Sequence, residues 1–219
     1  MIEVKDLRKS YGSLPVLRGI DLSIARGELA AIVGPSGAGK STLLQIMGAL
    51  DRPDAGEVRF EGRSIFQLSD SELATFRNIN IGFVFQQHHL LPEFTAEENV
   101  LLPAMIAGKI TPEKRHYAAQ LFELLGVSAR KEHKPAALSG GEQQRFAVAR
   151  ALINQPSVVL ADEPSGNLDT HNARELHELF LKLRSEFKQT IVVITHNMAL
   201  AELADRRISL VDGKWDDAL

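Results

Sequence analysis

The feature that most constrains this chain is a short apolar run, Leu29-Ala30-Ala31-Ile32-Val33, passing directly into Gly34-Pro35-Ser36-Gly37-Ala38-Gly39-Lys40-Ser41. Five consecutive apolar residues with no polar alternation are what a strand covered on both faces requires. The next eight satisfy the pattern G-x-x-x-x-G-K-[ST]. Glycines let the backbone close around a polyphosphate and turn successive N–H groups toward it. A helix over residues 41–50 would present its positive end to the same anion. In that arrangement Lys40 reaches the terminal phosphates and the Ser41 hydroxyl ligates Mg²⁺. A flexible Gly/Ser turn would also fit the residue types, but the buried strand before it and the helix after it do not fit such a turn.

A second apolar run, Val158-Val159-Leu160-Ala161, ends in Asp162-Glu163. A parallel strand delivers its C-terminal end to the ligand crevice of an open α/β sheet. Asp162 is then placed to hold Mg²⁺, and Glu163, pointing differently, suits a base that orients an attacking water. Read alone, Ala161-Asp162-Glu163-Pro164-Ser165-Gly166 is equally a surface turn capping the next helix; the phosphate loop upstream decides for the metal and the base. A third run, Thr190–Ile194, ends at Thr195-His196, so His196 of the seven histidines reaches the same crevice and can donate to a γ-phosphate.

Strands are expected over residues 2–4, 22–24, 29–33, 58–60, 158–161, 190–194 and 208–211. Helices are expected over 111–126, with Thr111 as N-cap and Pro112 at the first position, over about 140–153, and over 174–188. Strand–helix–strand alternation predicts a parallel sheet covered by helices. The strand-poor stretch from about 87 to 154 reads as a helical lobe inserted into that core.

Composition excludes several classes. A net charge of -3 over 219 residues, without a long block of one sign, gives no support for nucleic-acid binding. Cysteine is absent, which removes disulfides and thiolate metal sites. The N-terminal stretch does not read as a secretory signal, and no apolar run approaches the ~18 residues needed to span a bilayer, so any membrane link is expected to pass through another protein.

Leu138-Ser139-Gly140-Gly141-Glu142-Gln143-Gln144-Arg145 is a second anion-binding device. Ser139 can N-cap a helix with Glu142 completing a capping box, while the glycines expose N–H groups near its positive end. With this segment the chain resembles the ABC ATPase family over essentially its whole length, with motifs in the family's order. The resemblance implies an α/β fold: a RecA-like P-loop NTPase core with an antiparallel β subdomain (about 1–86 and 155–219) and an inserted helical subdomain (about 87–154). It implies that Tyr11 stacks on adenine, and that Gly34, Pro35, Ser36, Gly37, Ala38, Gly39, Lys40, Ser41 and Thr42 bind the phosphates of ATP. Gln86 matches the glutamine that touches the Mg²⁺ and water shell. Asp162 matches the metal-holding carboxylate, Glu163 the catalytic glutamate and His196 the switch histidine. Ser165, Gly166, Asn167, Leu168 and Asp169 match the loop that follows.

The resemblance further implies a homodimer, with Ser139, Gly140, Gly141 and Gln143 of one copy completing the ATP site of the other. Integral membrane subunits would dock near residues 86–95, at the cytoplasmic face of the inner membrane. There Leu90, Leu91 and Phe94 read either as an exposed docking patch or as ordinary core of the helical lobe. Residues 82–100 and 161–169 are most similar to the lipoprotein-releasing branch, with macrolide-exporter and cell-division complexes as alternatives. Gln87 stands where that branch usually has Phe, and Ser165 where Thr is usual. An ABC ATPase acting on DNA or the ribosome is disfavoured by the single cassette and the absence of a heptad run. A non-catalytic regulator is disfavoured by the presence of Glu163 and His196.

Overall fold

The computed structural model describes residues 1–108 and 110–215. Two sheets organise it. The first is antiparallel, in the order β2-β1-β4-β5, from β1 (Ile2–Tyr11), β2 (Leu14–Ile24), β4 (Ala55–Phe60) and β5 (Arg63–Ser64). Ile2, Val4, Leu7, Ile20, Leu22 and Val58 turn to its buried face, and charged residues fill the solvated one. β1 and β2 run several residues beyond the expected strands. Their solvated face makes Lys5 to Ser10 look like a loop, and register shifts beside Asp6 (φ 43°) break the alternation.

The second sheet has the order β10-β9-β3-β8-β7-β6. It contains β3 (Leu29–Val33), β6 (Ile81–Phe85), β7 (Val158–Asp162), β8 (Thr190–Ile194), β9 (Arg206–Val211) and β10 (Lys214–Trp215), all parallel except the edge strand β10. Residues alternate between two cores. Ala30, Ile32, Leu160, Val192 and Ile194 pack with the antiparallel sheet and with Leu43, Leu44, Ile46 and Met47 of α1 (Lys40–Met47). Leu29, Ala31, Val84, Val159 and Val193 face the other way. There they meet helices α3 (Ala96–Ile106), α4 (Pro112–Leu124), α5 (Gly140–Leu152) and α6 (Thr170–Phe187). Coverage on both faces is why β3, β7 and β8 read as unbroken apolar runs.

β6, α2 (Asp70–Asn80) and α3 are absent from the expected elements, and α6 starts four residues before the expected 174. β6 needs its Gly82: a Cβ there would stand 2.4 Å from the Ala151 carbonyl oxygen of α5. Pro103 lies inside α3, whose start is set by a capping box between Thr95 and Glu98. Asp169 accepts from the Asn172 N–H at 2.9 Å and so moves the start of α6 forward. A short helix, α7 (Met198–Glu202), precedes β9. Among the described residues no helix is long and apolar enough to cross a membrane.

Helices α4 and α5 meet through Phe122 and Phe146, both fully buried, edge to face with centroids 5.6 Å apart. Phe146→Ala should destabilise the fold by about 3–5 kcal/mol, since the ring's neighbours belong to a continuous core that collapses poorly. Denaturant unfolding of the variant checks this, with a midpoint shift at unchanged slope expected.

Candidate functional site

The sheet register assembles the site. Phe85 pairs with Asp162, Asp162 with Ile194, and Ile194 with Ile32, so β6, β7, β8 and β3 reach the same edge in step. The residues that leave that edge are therefore neighbours: Gln86, Glu163, Thr195-His196 and the loop from Gly34. All of these but the buried Thr195 line an open cleft of about 780 Å³, together with Tyr11, Ser36, Gly37, Gly39, Lys40, Ser41, Thr42 and Asp162. Leu14 and Val16 of β2 add an apolar wall that sequence reasoning missed, since nothing in an alternating strand marks which end faces a ligand. Pro35 and Ala38 do not line the cleft, and Ala38 packs into the core beneath the loop.

Glycine is compulsory at the loop's base. A Cβ on Gly34 (φ 147°) would lie 2.0 Å from the Leu210 carbonyl oxygen of β9. Helix α1 begins after Gly39 with no side-chain cap and no acidic residue in its first turn. Its first N–H groups and its positive end are thus left to an anion. Lys40 folds back over the loop, and its Nζ donates to the carbonyls of Gly34 and Pro35, each at 2.8 Å.

Beyond the loop, burial pushes the Asp162 carboxyl above the usual carboxylate range, while a hydrogen bond from Ser41 and the charge of Lys40 pull it back. A half-buried carboxylate against a hydroxyl is an oxygen pair that a hard divalent cation would relieve. The donor set therefore fits Mg²⁺, which takes one or two carboxylates and completes its shell with phosphate and water.

Glu163 has a left-handed backbone (φ 46°). Its N–H donates to the Ile194 carbonyl at 2.9 Å, and its Oε2 lies 2.8 Å from Nδ1 of His196 and accepts the His196 N–H at 3.2 Å. Gln86 and Asn167 hold one another reciprocally: Gln86 Nε2 donates to Asn167 Oδ1 at 3.0 Å, and Asn167 Nδ2 donates to the Gln86 carbonyl at 3.2 Å. At the far end of the cleft the Tyr11 hydroxyl donates to Asp51 Oδ2 at 2.9 Å. Asp51 is a second partner that the sequence did not flag.

The segment 139–143 lies elsewhere. None of Ser139, Gly140, Gly141 and Gln143 lines the cleft. Ser139 caps α5: its Oγ accepts the Glu142 N–H at 3.2 Å, and Glu142 Oε2 accepts the Ser139 N–H at 2.8 Å. Gln143 Nε2 donates back to the Pro135 and Leu138 carbonyls at 3.1 Å. Gly141 packs so closely on α6 that a Cβ would stand 2.1 Å from Asn172 Oδ1.

A phosphate loop on a central parallel strand, with two acidic residues and a histidine off the adjacent strand ends, defines a P-loop nucleotide hydrolase. The family model described as "ABC transporter" matches residues 17–166, and the chain belongs to that family as an ATP-hydrolysing cassette. It is 58% identical over 213 residues to the lipoprotein-releasing system ATP-binding protein LolD of Bacteroides fragilis, covering 97% of this chain and 99% of that protein. It is 52% identical over 218 residues to the protein of the same name from Geobacter metallireducens, covering 98% and 97%. Among solved structures it resembles the ATP-binding cassette MJ0796, a dimer in a post-hydrolysis state bound to ADP and Pi. That likeness has a TM-score of 0.90 at 41% identity, covering 99% of this chain and 97% of that one.

Proposed function

We propose that this chain is the ATPase subunit of a lipoprotein-releasing ABC complex, held at the cytoplasmic face of the inner membrane by integral membrane partners. The observation that supports it is the near full-length identity to proteins named for that system. In this reading Tyr11 stacks on adenine, and the loop of residues 34–42 with α1 binds the phosphates of ATP. Lys40 exchanges its two carbonyl partners for phosphate oxygens. Ser41, Asp162 and Gln86 hold Mg²⁺, directly or through water, and the ion would neutralise charge on the phosphates. Glu163 is the base that orients water, with His196 beside it and toward the γ-phosphate. The helical lobe, about 87–154, carries Ser139, Gly140, Gly141 and Gln143, which complete the ATP site of a second copy; the remaining residues form the core. Reconstitution tests the whole reading. The chain, purified with its membrane chains in proteoliposomes, should release an acylated lipoprotein on addition of ATP. Transport of another substrate in place of lipoproteins would overturn the assignment.

The docking surface takes a more specific form than residues 86–95 alone. Leu91 and Phe94 are exposed, whereas Leu90 is partly buried against the helical core and is not part of an exposed patch. Its packing follows from Asn99, which is buried and accepts the Leu91 N–H and donates to the Leu91 carbonyl, pinning the segment down. Beside it runs an apolar groove of about 470 Å³ lined by Leu50, Phe83, Phe85, His89, Pro103 and Ile106. Leu91→Asp with Ile106→Asp should leave basal ATPase activity within about twofold, because both side chains are exposed and lie outside the cleft. The double variant should fail to co-purify with membrane chains, since it would bury unpaired charge in the interface. Normal assembly would rule out this surface.

A further inference from the structure

We propose that His177 is a positioning residue for ATP hydrolysis: through a buried hydrogen bond to Ser165 it holds the turn on which Glu163 stands. The proposal rests on the reading of Glu163 as the base.

Helix α6 buries Ala173, Leu176, His177, Phe180 and Leu183, the spacing of an amphipathic stripe. His177 thus occupies a core position that an apolar side chain would fill without cost, and a buried polar group needs a partner to be tolerated. Its partner is Ser165, also buried, with His177 Nε2 3.1 Å from the Ser165 Oγ. Burial lowers the affinity of the ring for a proton, so the bond is one between neutral groups.

Ser165 is the third residue of a tight turn. The Gly166 N–H donates to the Glu163 carbonyl at 3.0 Å, Glu163 is left-handed and Pro164 is rigid. The same loop is gripped from the cleft side by the Gln86–Asn167 pair, and Gly166 lies close enough to Gln86 that a Cβ would meet its Nε2 at 2.7 Å. The turn is therefore held between a cleft residue in front and a buried histidine behind. The Glu163 N–H bond to the Ile194 carbonyl fixes the start of the turn, and His177 is the anchor on the Ser165 side chain, with no part for Gln86. A carboxylate whose neighbour two residues on is loosened keeps its chemistry but loses its aim, and a displacement of ~1 Å is enough to cost about 100-fold in rate.

The test compares His177→Leu, Ser165→Ala, the two combined, and His177→Gln, whose amide can reach the hydroxyl from the same place on the helix. The leucine and alanine variants should each lose about 10- to 100-fold in kcat with ATP affinity, measured by equilibrium binding, changed less than about twofold. The combined variant should be no slower than the slower single, because both remove one interaction. His177→Gln should regain most of the rate. Wild-type kcat in a folded His177→Leu or Ser165→Ala protein, losses that multiply, or a glutamine variant as slow as the leucine would each overturn the proposal. Thermal unfolding of every variant identifies any that fails to fold, and Ser165→Ala, the smallest change, then carries the test alone. Glu163→Gln separates the two readings. If it hydrolyses at the wild-type rate the base assignment fails. If it is slowed as expected, adding His177→Leu should lower the remaining rate no further, and an additional fall would show that His177 acts by another route.

Discussion

Glu163→Gln is expected to slow ATP hydrolysis by roughly 10²–10⁴-fold while ATP binding survives. The change removes a basic oxygen and leaves the shape of the side chain. Neither the phosphate loop nor Lys40 contacts Glu163 among the hydrogen bonds described, so the anion-binding surface stays as it is. The Glu163–His196 contact of 2.8 Å becomes a bond to an amide, which keeps the His196 ring near its place. If ATP joins two copies, a variant that binds but does not hydrolyse accumulates as an ATP-loaded dimer, because the ligand that favours association is no longer consumed. Size-exclusion chromatography with saturating ATP and Mg²⁺, beside a turnover assay, measures both effects. Turnover at the wild-type rate, or a monomer at saturating ATP, would contradict the assignment.

How much of this was legible beforehand depended on what each segment had to do. The crevice was readable because phosphate, metal and water each demand particular side chains at strand ends. Lys40, Asp162, Glu163 and His196 follow apolar runs, and the register brings those runs to one edge. Elements whose reasons lie in distant contacts were not readable. β6 contains a glycine because α5 crosses it, and β1 is polar because one face is in water. The same holds for small parts of the site. Ser165 was visible as a departure from the lipoprotein-releasing branch, but its link to His177 spans twelve residues and exists only once α6 has packed. Leu14, Val16 and Asp51 carry no local signature: the first two enter the cleft through the pairing of the antiparallel sheet, and Asp51, just past the helix that follows the loop, meets the cleft residue Tyr11 through its hydroxyl.

Mixing two inactive variants should restore activity. Lys40→Ala removes the only side-chain cation of the phosphate loop and is expected to abolish productive ATP binding. Ser139→Arg leaves the cleft of its own chain untouched, since Ser139 does not line it. It should therefore bind ATP as a single copy but block hydrolysis, by placing a bulky cation where the partner's phosphates would lie. The cap of α5 is lost as well, at a cost of about 1 kcal/mol, which a core of this size tolerates. In a mixed dimer one composite site combines both defects, and the other joins an intact phosphate loop to an intact Ser139. Random pairing at equal concentrations should leave about one quarter of the sites intact, so turnover should rise from near zero to a measurable fraction of wild type. Because Ser139 does not line its own cleft, this outcome is specific. A segment acting within its own chain would leave every copy in the mixture defective at any ratio. Mixed dimers that form without recovered turnover at any ratio would show that residues 139–143 do not complete a neighbour's site.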